Sequence, residues 1–183
     1  MGAAVELFHE KGYTATSIQD LGDAAEITKG SVYHYIETKE DLLYEIVRRA
    51  IEVRSAILVE PPDIAAADPE TRLRSFIGRW MNASANSSTL GMVAEAEFRW
   101  LSAKRLRAVI AQRDKFSQVV KDLVAAGIAD KSFDPSIDPS LATNTVFVIM
   151  RNLPSWFRAS GPRSYADVVA WHTEFIVNGL RRR

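Results

Sequence analysis

The stretch Thr28-Lys-Gly-Ser-Val-Tyr-His-Tyr-Ile36 decides how this chain is read. Thr28 is a natural N-cap, because its hydroxyl accepts from a backbone N–H of the first helical turn. Gly30 and Ser31 leave that turn bare enough for close approach to another backbone, and Val32 with Ile36 makes an apolar i, i+4 pair that faces inward. Lys29, Tyr33, His34 and Tyr35 are left to point elsewhere. A short helix carrying a cation, small residues and exposed-type aromatics has the composition of an element that enters a DNA groove.

The neighbouring residues sharpen this reading. Thr16-Ser-Ile-Gln19 fits a capping box that opens a helix with Ile18, Leu21 and Ala25 as its inward stripe, and Ile27 closes a tight turn into the next helix. Two short helices joined by a few residues form a helix-turn-helix. Upstream, Ala4, Leu7 and Phe8 are the apolar face of a first helix ending at Gly12; downstream, Thr38-Lys-Glu-Asp41 is a second capping box that starts a long helix. The spacing predicts a three-helix DNA-binding head with a fourth helix leading out of it.

The run from Ala4 to Leu43 carries Leu7-Phe8, Gly12-Tyr13, Thr16-Ser17 and Thr28-Lys-Gly-Ser-Val-Tyr-His-Tyr-Ile-Glu-Thr-Lys-Glu-Asp-Leu-Leu43. It resembles the TetR family of bacterial one-component repressors. By motif the resemblance covers roughly the first quarter of the chain; the helical remainder is similar in organisation to the ligand-binding and dimerisation part of such proteins. It implies that Thr28, Lys29, Gly30, Ser31, Tyr33, His34 and Tyr35 lie on the recognition helix, with Lys29, Tyr33 and His34 at base edges or in the groove. Thr16, Ser17, Gln19 and Lys39 are expected at helix starts beside the phosphates.

Two departures from the family pattern matter physically. Family members usually have a longer first helix preceded by a basic arm, whereas Met1 begins almost inside that helix here. Residues 1–55 hold Lys11, Lys29, Lys39, Arg48, Arg49 and Arg54 against ten acids, a net of −4. Phosphate neutralisation supplies most non-specific DNA affinity. Either the full protein has residues ahead of this sequence, or binding relies on few, well-placed contacts. In addition Glu26 stands where the family often has Gly, which strains the turn if φ is positive, and Gly22 stands where it has Ala, which costs a helix up to about 1 kcal/mol.

With 183 residues the chain is long enough for a small head, residues 1–45, and a larger body, residues 46–183. It has no Cys, so disulfides, thiolate metal sites and a cysteine nucleophile are excluded, which suits a cytoplasmic protein. No apolar run is long enough to span a bilayer, and Glu6, His9, Glu10 and Lys11 interrupt any signal-peptide pattern, so no membrane partner is expected. His9, His34 and His172 are far apart and lack metal-ligand spacing. Nucleophile-elbow, phosphate-loop and dinucleotide motifs are missing too. The expectation is a protein that is not an enzyme and needs no metal or cofactor. The rival class is a helical protein-interaction scaffold, which leaves Lys29, Tyr33, His34 and Tyr35 unexplained.

Periodicity in the body predicts an all-α protein of about nine helices. The linking helix carries Leu43, Ile46, Val47 and Ala50 until Pro61-Pro62 stops it. Asp68-Pro69 then supplies an N-cap and a first-turn proline, and the polar run Asn82 to Thr89 contains the end of the helix that follows. A shorter helix holds Met92, Val93, Ala96 and Trp100. A long helix from Lys104 fades near Gly127, Asp138-Pro139 opens another running to Pro154, and Ser164-Tyr-Ala-Asp167 caps the last. The helix around Ala142–Leu153 is apolar nearly all round and must be covered on more than one side.

Short palindromic sites are read by two-fold dimers. The last two helices are therefore expected to make a four-helix homodimer interface through Leu141, Thr145, Val148, Val169, His172, Phe175, Ile176 and Leu180, with packing inside one subunit as the competing role. A regulator of this kind is expected to hold a small hydrophobic effector among Trp80, Met81, Phe98, Trp100, Phe116, Phe147, Met150, Arg151, Trp156 and Phe157. The segments Gln112-Arg-Asp-Lys-Phe116 and Asn152-Leu-Pro-Ser-Trp-Phe-Arg158 are similar in layout to family members that control lipid or steroid breakdown and respond to acyl-CoA thioesters. The resemblance thus implies a repressor on an operator DNA, released by a small hydrophobic effector, whether an acyl-CoA thioester or another apolar drug or metabolite.

Overall fold

The computed structural model describes residues 1–85 and 88–182, and these are all-α apart from one isolated β-bridge between Phe133 and Arg181. Ten α-helices occur among the described residues: α1 (Gly2–Lys11), α2 (Ile18–Ala24), α3 (Lys29–Val32), α4 (Lys39–Ser55), α5 (Pro62–Ala65), α6 (Pro69–Ala85), α7 (Ser88–Glu97), α8 (Ala103–Ala129), α9 (Pro139–Trp156) and α10 (Tyr165–Leu180). Short 3-10 turns follow α4 (Ala56–Leu58) and α7 (Phe98–Trp100). The helix beyond the expected nine is α5. Pro61-Pro62 does not stop α4, which ends at Ser55 and passes through the 3-10 turn to an extended Val59; the pair instead starts α5, because a proline at the first helical position has no N–H to lose.

Most helix starts follow the local rules. Thr38 and Asp41 cap each other ahead of α4, as do Ser164 and Asp167 at α10, and Asp138 accepts from the Ser140 and Leu141 amides at α9. Three boundaries differ from the expected ones. The box at α2 is Ser17–Asp20 rather than Thr16–Gln19; α8 runs past Gly127 to Ala129; and α9 continues through Pro154 to Trp156. Of the polar run expected to contain the end of α6, Asn86 and Ser87 lie outside the described residues.

By compactness the chain divides into Met1–Val53 with Ser87–Gln112, and Arg54–Asn86 with Arg113–Arg183. In the first unit Ala4, Val5 and Phe8 of α1, Leu21 of α2, and Leu43, Ile46, Val47 and Ala50 of α4 share a core with Val93 and Ala94 of α7, Leu101 and Val109. The helix-turn-helix is thus packed on a platform that comes from much later in the sequence. Each fully buried large apolar side chain there contributes roughly 1.5–3 kcal/mol.

In the second unit α6 buries Leu73, Phe76, Ile77, Trp80 and Met81. It packs against α9, which buries Thr143, Val146, Phe147, Met150 and Leu153, and against α10, which buries Val169, Thr173, Ile176, Val177 and Leu180. Phe133, after α8, is fully buried and packs directly against Gly127, where any Cβ would overlap its ring. Arg181, directly after α10, pairs with Glu70 at the start of α6, and Arg74 of α6 pairs with Glu174 of α10, tying the two helices together.

Candidate nucleic-acid interface and the body behind it

The turn that sets α3 is a Schellman motif at the end of α2. The Ile27 amide donates to Gly22 O and the Glu26 amide to Asp23 O, while Glu26 takes φ +56°. A Cβ on Gly22 would lie 2.9 Å from the Ile27 carbonyl oxygen, so Gly22 and Glu26, the two replaced positions, belong to one turn. Glycine at position 22 makes room for the backbone, and glutamate bears the left-handed strain.

Thr28 caps α3, its Oγ1 accepting from the Ser31 amide at 3.1 Å. Regular helix then covers only Lys29–Val32. Tyr33, His34 and Tyr35 follow in a tightened turn, with His34 and Tyr35 amides donating to Ser31 and Val32 carbonyls. Val32 is buried and anchors the element. Lys29, Gly30, Tyr33, His34 and Tyr35 are all exposed, Tyr35 at 81 %. Lys29 makes no ion pair among the described residues, and a Cβ on Gly30 would meet only Thr28 Oγ1, at 3.8 Å. Nothing among the described residues requires a glycine at position 30.

The four positions expected beside phosphates divide. Ser17 and Gln19 are exposed. Ser17 caps α2, and Gln19 donates to Asp23. Asp20 completes the box, and its carboxyl is held far below the ordinary range by the Ser17 hydroxyl, the Ser17 amide and Lys11. Thr16 and Lys39 are corrections. Thr16 is buried, its hydroxyl donating to Gly12 O, which is why Ser17 takes the cap. The Lys39 ammonium donates to the carbonyls of Tyr13, at 2.8 Å, and Thr16, at 2.6 Å, and sits over the Tyr13 ring. Burial lowers its pKa, and its donors face inward.

In the second unit Phe76, Trp80, Phe116 and Phe147 form a cluster of mostly edge-on rings, with Arg54 over Trp80 and Arg151 over Phe147. Met81 and Met150 are buried in the same unit. Trp156 and Phe157 lie elsewhere, on an open groove of about 800 Å³ that Arg158, Arg163, Trp171 and His172 also line. Phe98 and Trp100 correct the expected pocket: Phe98 packs against the core of the first unit, and Trp100 is 48 % exposed.

The expected dimer residues also separate. Val169, Ile176 and Leu180 are buried within the chain itself, a correction that follows from the packing of α10 on α6. His172 is half-buried between Trp156 and Trp171, with Nδ1 2.8 Å from Val168 O. Leu141, Thr145, Val148 and Phe175 remain exposed. Trp171, stacked on Phe175 one turn away, belongs with them and was missed, although the i, i+4 aromatic pair off the core stripe was readable.

Residues 1–46 match the family described as bacterial regulatory proteins, tetR family, and residues 66–180 match the tetracyclin repressor-like C-terminal domain. The chain belongs to the TetR family. It is a helix-turn-helix transcriptional repressor, not an enzyme. It is 27 % identical to the transcriptional repressor KstR2 of Rhodococcus jostii, over 97 % of this chain and 87 % of the relative. PfmR of Thermus thermophilus superposes with a TM-score of 0.83 at 29 % identity, over 98 % of this chain and 97 % of that one. AibR, solved with isovaleryl coenzyme A and operator DNA, gives a TM-score of 0.82 at 19 % identity over 94 % and 93 % of the two chains, a likeness of fold. As a TetR-family member the chain has an operator DNA and a small-molecule effector as its partners. No helix among the described residues is long and apolar enough to cross a membrane.

Proposed function

We propose that this TetR-family protein binds a palindromic operator as a cytoplasmic homodimer and is released by an acyl-CoA thioester. The observation that carries the DNA contact is the exposed set Lys29, Tyr33, His34 and Tyr35 around Gly30, whose small size nothing among the described residues uses. A phosphodiester backbone approaching the first turn of α3 uses it. Residues 1–55, at a net of −4, offer little general attraction for DNA, so within them these few contacts carry the affinity and the specificity.

The dimer is supported by the exposed apolar stripe Leu141, Val148, Trp171 and Phe175 on α9 and α10. Soluble monomers rarely leave such a patch in water, and a two-fold axis through it gives the four-helix packing that buries it. For the effector, the Phe76–Trp80–Phe116–Phe147 cluster offers apolar walls. The groove at Trp156 adds aromatic faces beside Arg158 and Arg163, which suit a base and phosphates. AibR's isovaleryl coenzyme A supports the same class. Effector and operator favour different settings of α4, so each weakens the other's binding.

The test is a titration of long-chain acyl-CoAs, free fatty acids and unrelated hydrophobic compounds into the protein–operator complex, followed by fluorescence anisotropy. Release by the thioesters alone is expected. Release only by the other compounds would replace the effector class, and equal ligand affinity with and without DNA would remove the coupling.

A further inference from the structure

We propose that the Nε–Nη2 edge of Arg79 is a binding site for an oxyanion of the carboxylate or phosphate class. Arg79 lies on α6, and its Nη1 donates to Ile57 O at 2.7 Å and Val59 O at 2.9 Å. Those two carbonyls fix the plane of the guanidinium. Its Nε and Nη2 are sealed from solvent and have no hydrogen-bond partner among the described residues. A guanidinium cannot shed its charge, so buried donors left unmet on it are costly.

The rest of the chain shows what this edge takes. Arg48 uses Nε and Nη2 on Glu45, Arg181 uses them on Glu70, and Arg72, seven residues before Arg79 on α6, uses them on Glu60. In each the parallel N–H pair meets a carboxylate, the geometry for which the guanidinium fork is built. Arg79 presents the same edge. Glu60, the acid next to the carbonyls that Arg79 holds, is already taken by Arg72. The missing partner is an anion from outside the chain, with two oxygens on one centre. It enters when the segment Ile57–Glu60 lifts from α6. Since Ile57 and Val59 directly follow α4, an occupant bears on how the end of α4 is held. This site does not rest on the effector being an acyl-CoA.

The experiment uses the full chain in chloride buffer, with inorganic phosphate and decanoate as separate probes, followed by calorimetric titration and thermal melting. One probe binds and raises the melting temperature, and its identity separates phosphate from carboxylate. R79Q, whose amide keeps one donor, weakens that binding about ten- to hundredfold, the range for one lost hydrogen bond to a charged group. R79K keeps the charge without the fork and falls between. It carries the comparison if R79Q is too unstable. R72Q, which loses another arginine tie from α6 to the same segment, binds as the parent does. The proposal is overturned if neither probe binds, if R79Q or R79K binds as tightly as the parent, or if crystals saturated with the probe show only water on both nitrogens.

Discussion

The Lys39 ammonium donates to the carbonyl oxygen of Thr16 at 2.6 Å, closing a 23-residue span between the start of α4 and the loop before α2. With the bond to Tyr13 O, this makes Lys39 a clasp of the head. Lys39→Met should cost about 1–3 kcal/mol in urea unfolding, the range for hydrogen bonds to a charged group. The salt dependence of operator binding should keep its slope. A slope shallower by about one would return Lys39 to the phosphates.

The turn before α3 carries strain on one residue and clearance on another. Glu26→Gly should raise stability by about 1 kcal/mol, because a non-glycine residue at φ +56° gives up roughly that much. Gly22→Ala should lower it by about 1–2 kcal/mol, since the 2.9 Å approach to Ile27 O outweighs the roughly 1 kcal/mol helix preference of alanine. Both are read from urea midpoints at constant m-value.

Phe133 and Gly127 should behave as one unit. Phe133→Ala empties a fully buried site and should cost about 3–5 kcal/mol. Gly127→Ala, whose Cβ enters the ring, should cost about 1–3 kcal/mol. In the double mutant the two losses should fall short of their sum, and strict additivity would show that the ring does not rest on Gly127.

Acid should weaken the first unit in the carboxylate range. Asp20 is depressed first by the Ser17 hydroxyl, Asp41 by the Arg105 side chain, and Glu40 by the Ser102 amide. A depressed folded-state pKa gives stability that is present above the ordinary values of 3.8 for Asp and 4.5 for Glu, and lost as pH falls through the folded values. Urea midpoints should therefore hold from pH 7 to about 5 and decline below. Asp20→Asn should be less stable at neutral pH and decline less steeply in acid.

The exposed stripe shared by α9 and α10 and the buried face of α10 should respond oppositely to the same substitution. Phe175→Asp and Val148→Asp, on the exposed stripe, should give a folded protein that sediments as a monomer. Val169→Asp places an unpaired carboxylate in the core and should unfold the second unit. A Phe175→Asp protein that still sediments as a dimer would move the interface elsewhere.

The sequence by itself determined the helix-turn-helix, the all-helical body and most helix starts. Capping boxes such as Thr38–Asp41 and Ser164–Asp167, and prolines such as Pro69 and Pro139, act within four residues and need no distant partner. Tertiary structure decided which neighbour each side chain meets. Thr16 and Ser17 are equal capping candidates until Gly12 O takes the Thr16 hydroxyl, and Lys39 looks like a phosphate contact until two carbonyls surround it. A helical stripe names a face and not its partner. For that reason Val169 and Phe175 were indistinguishable on α10 until α6 covered one of them, and Phe98 belonged to a pocket until it packed on the core of the first unit.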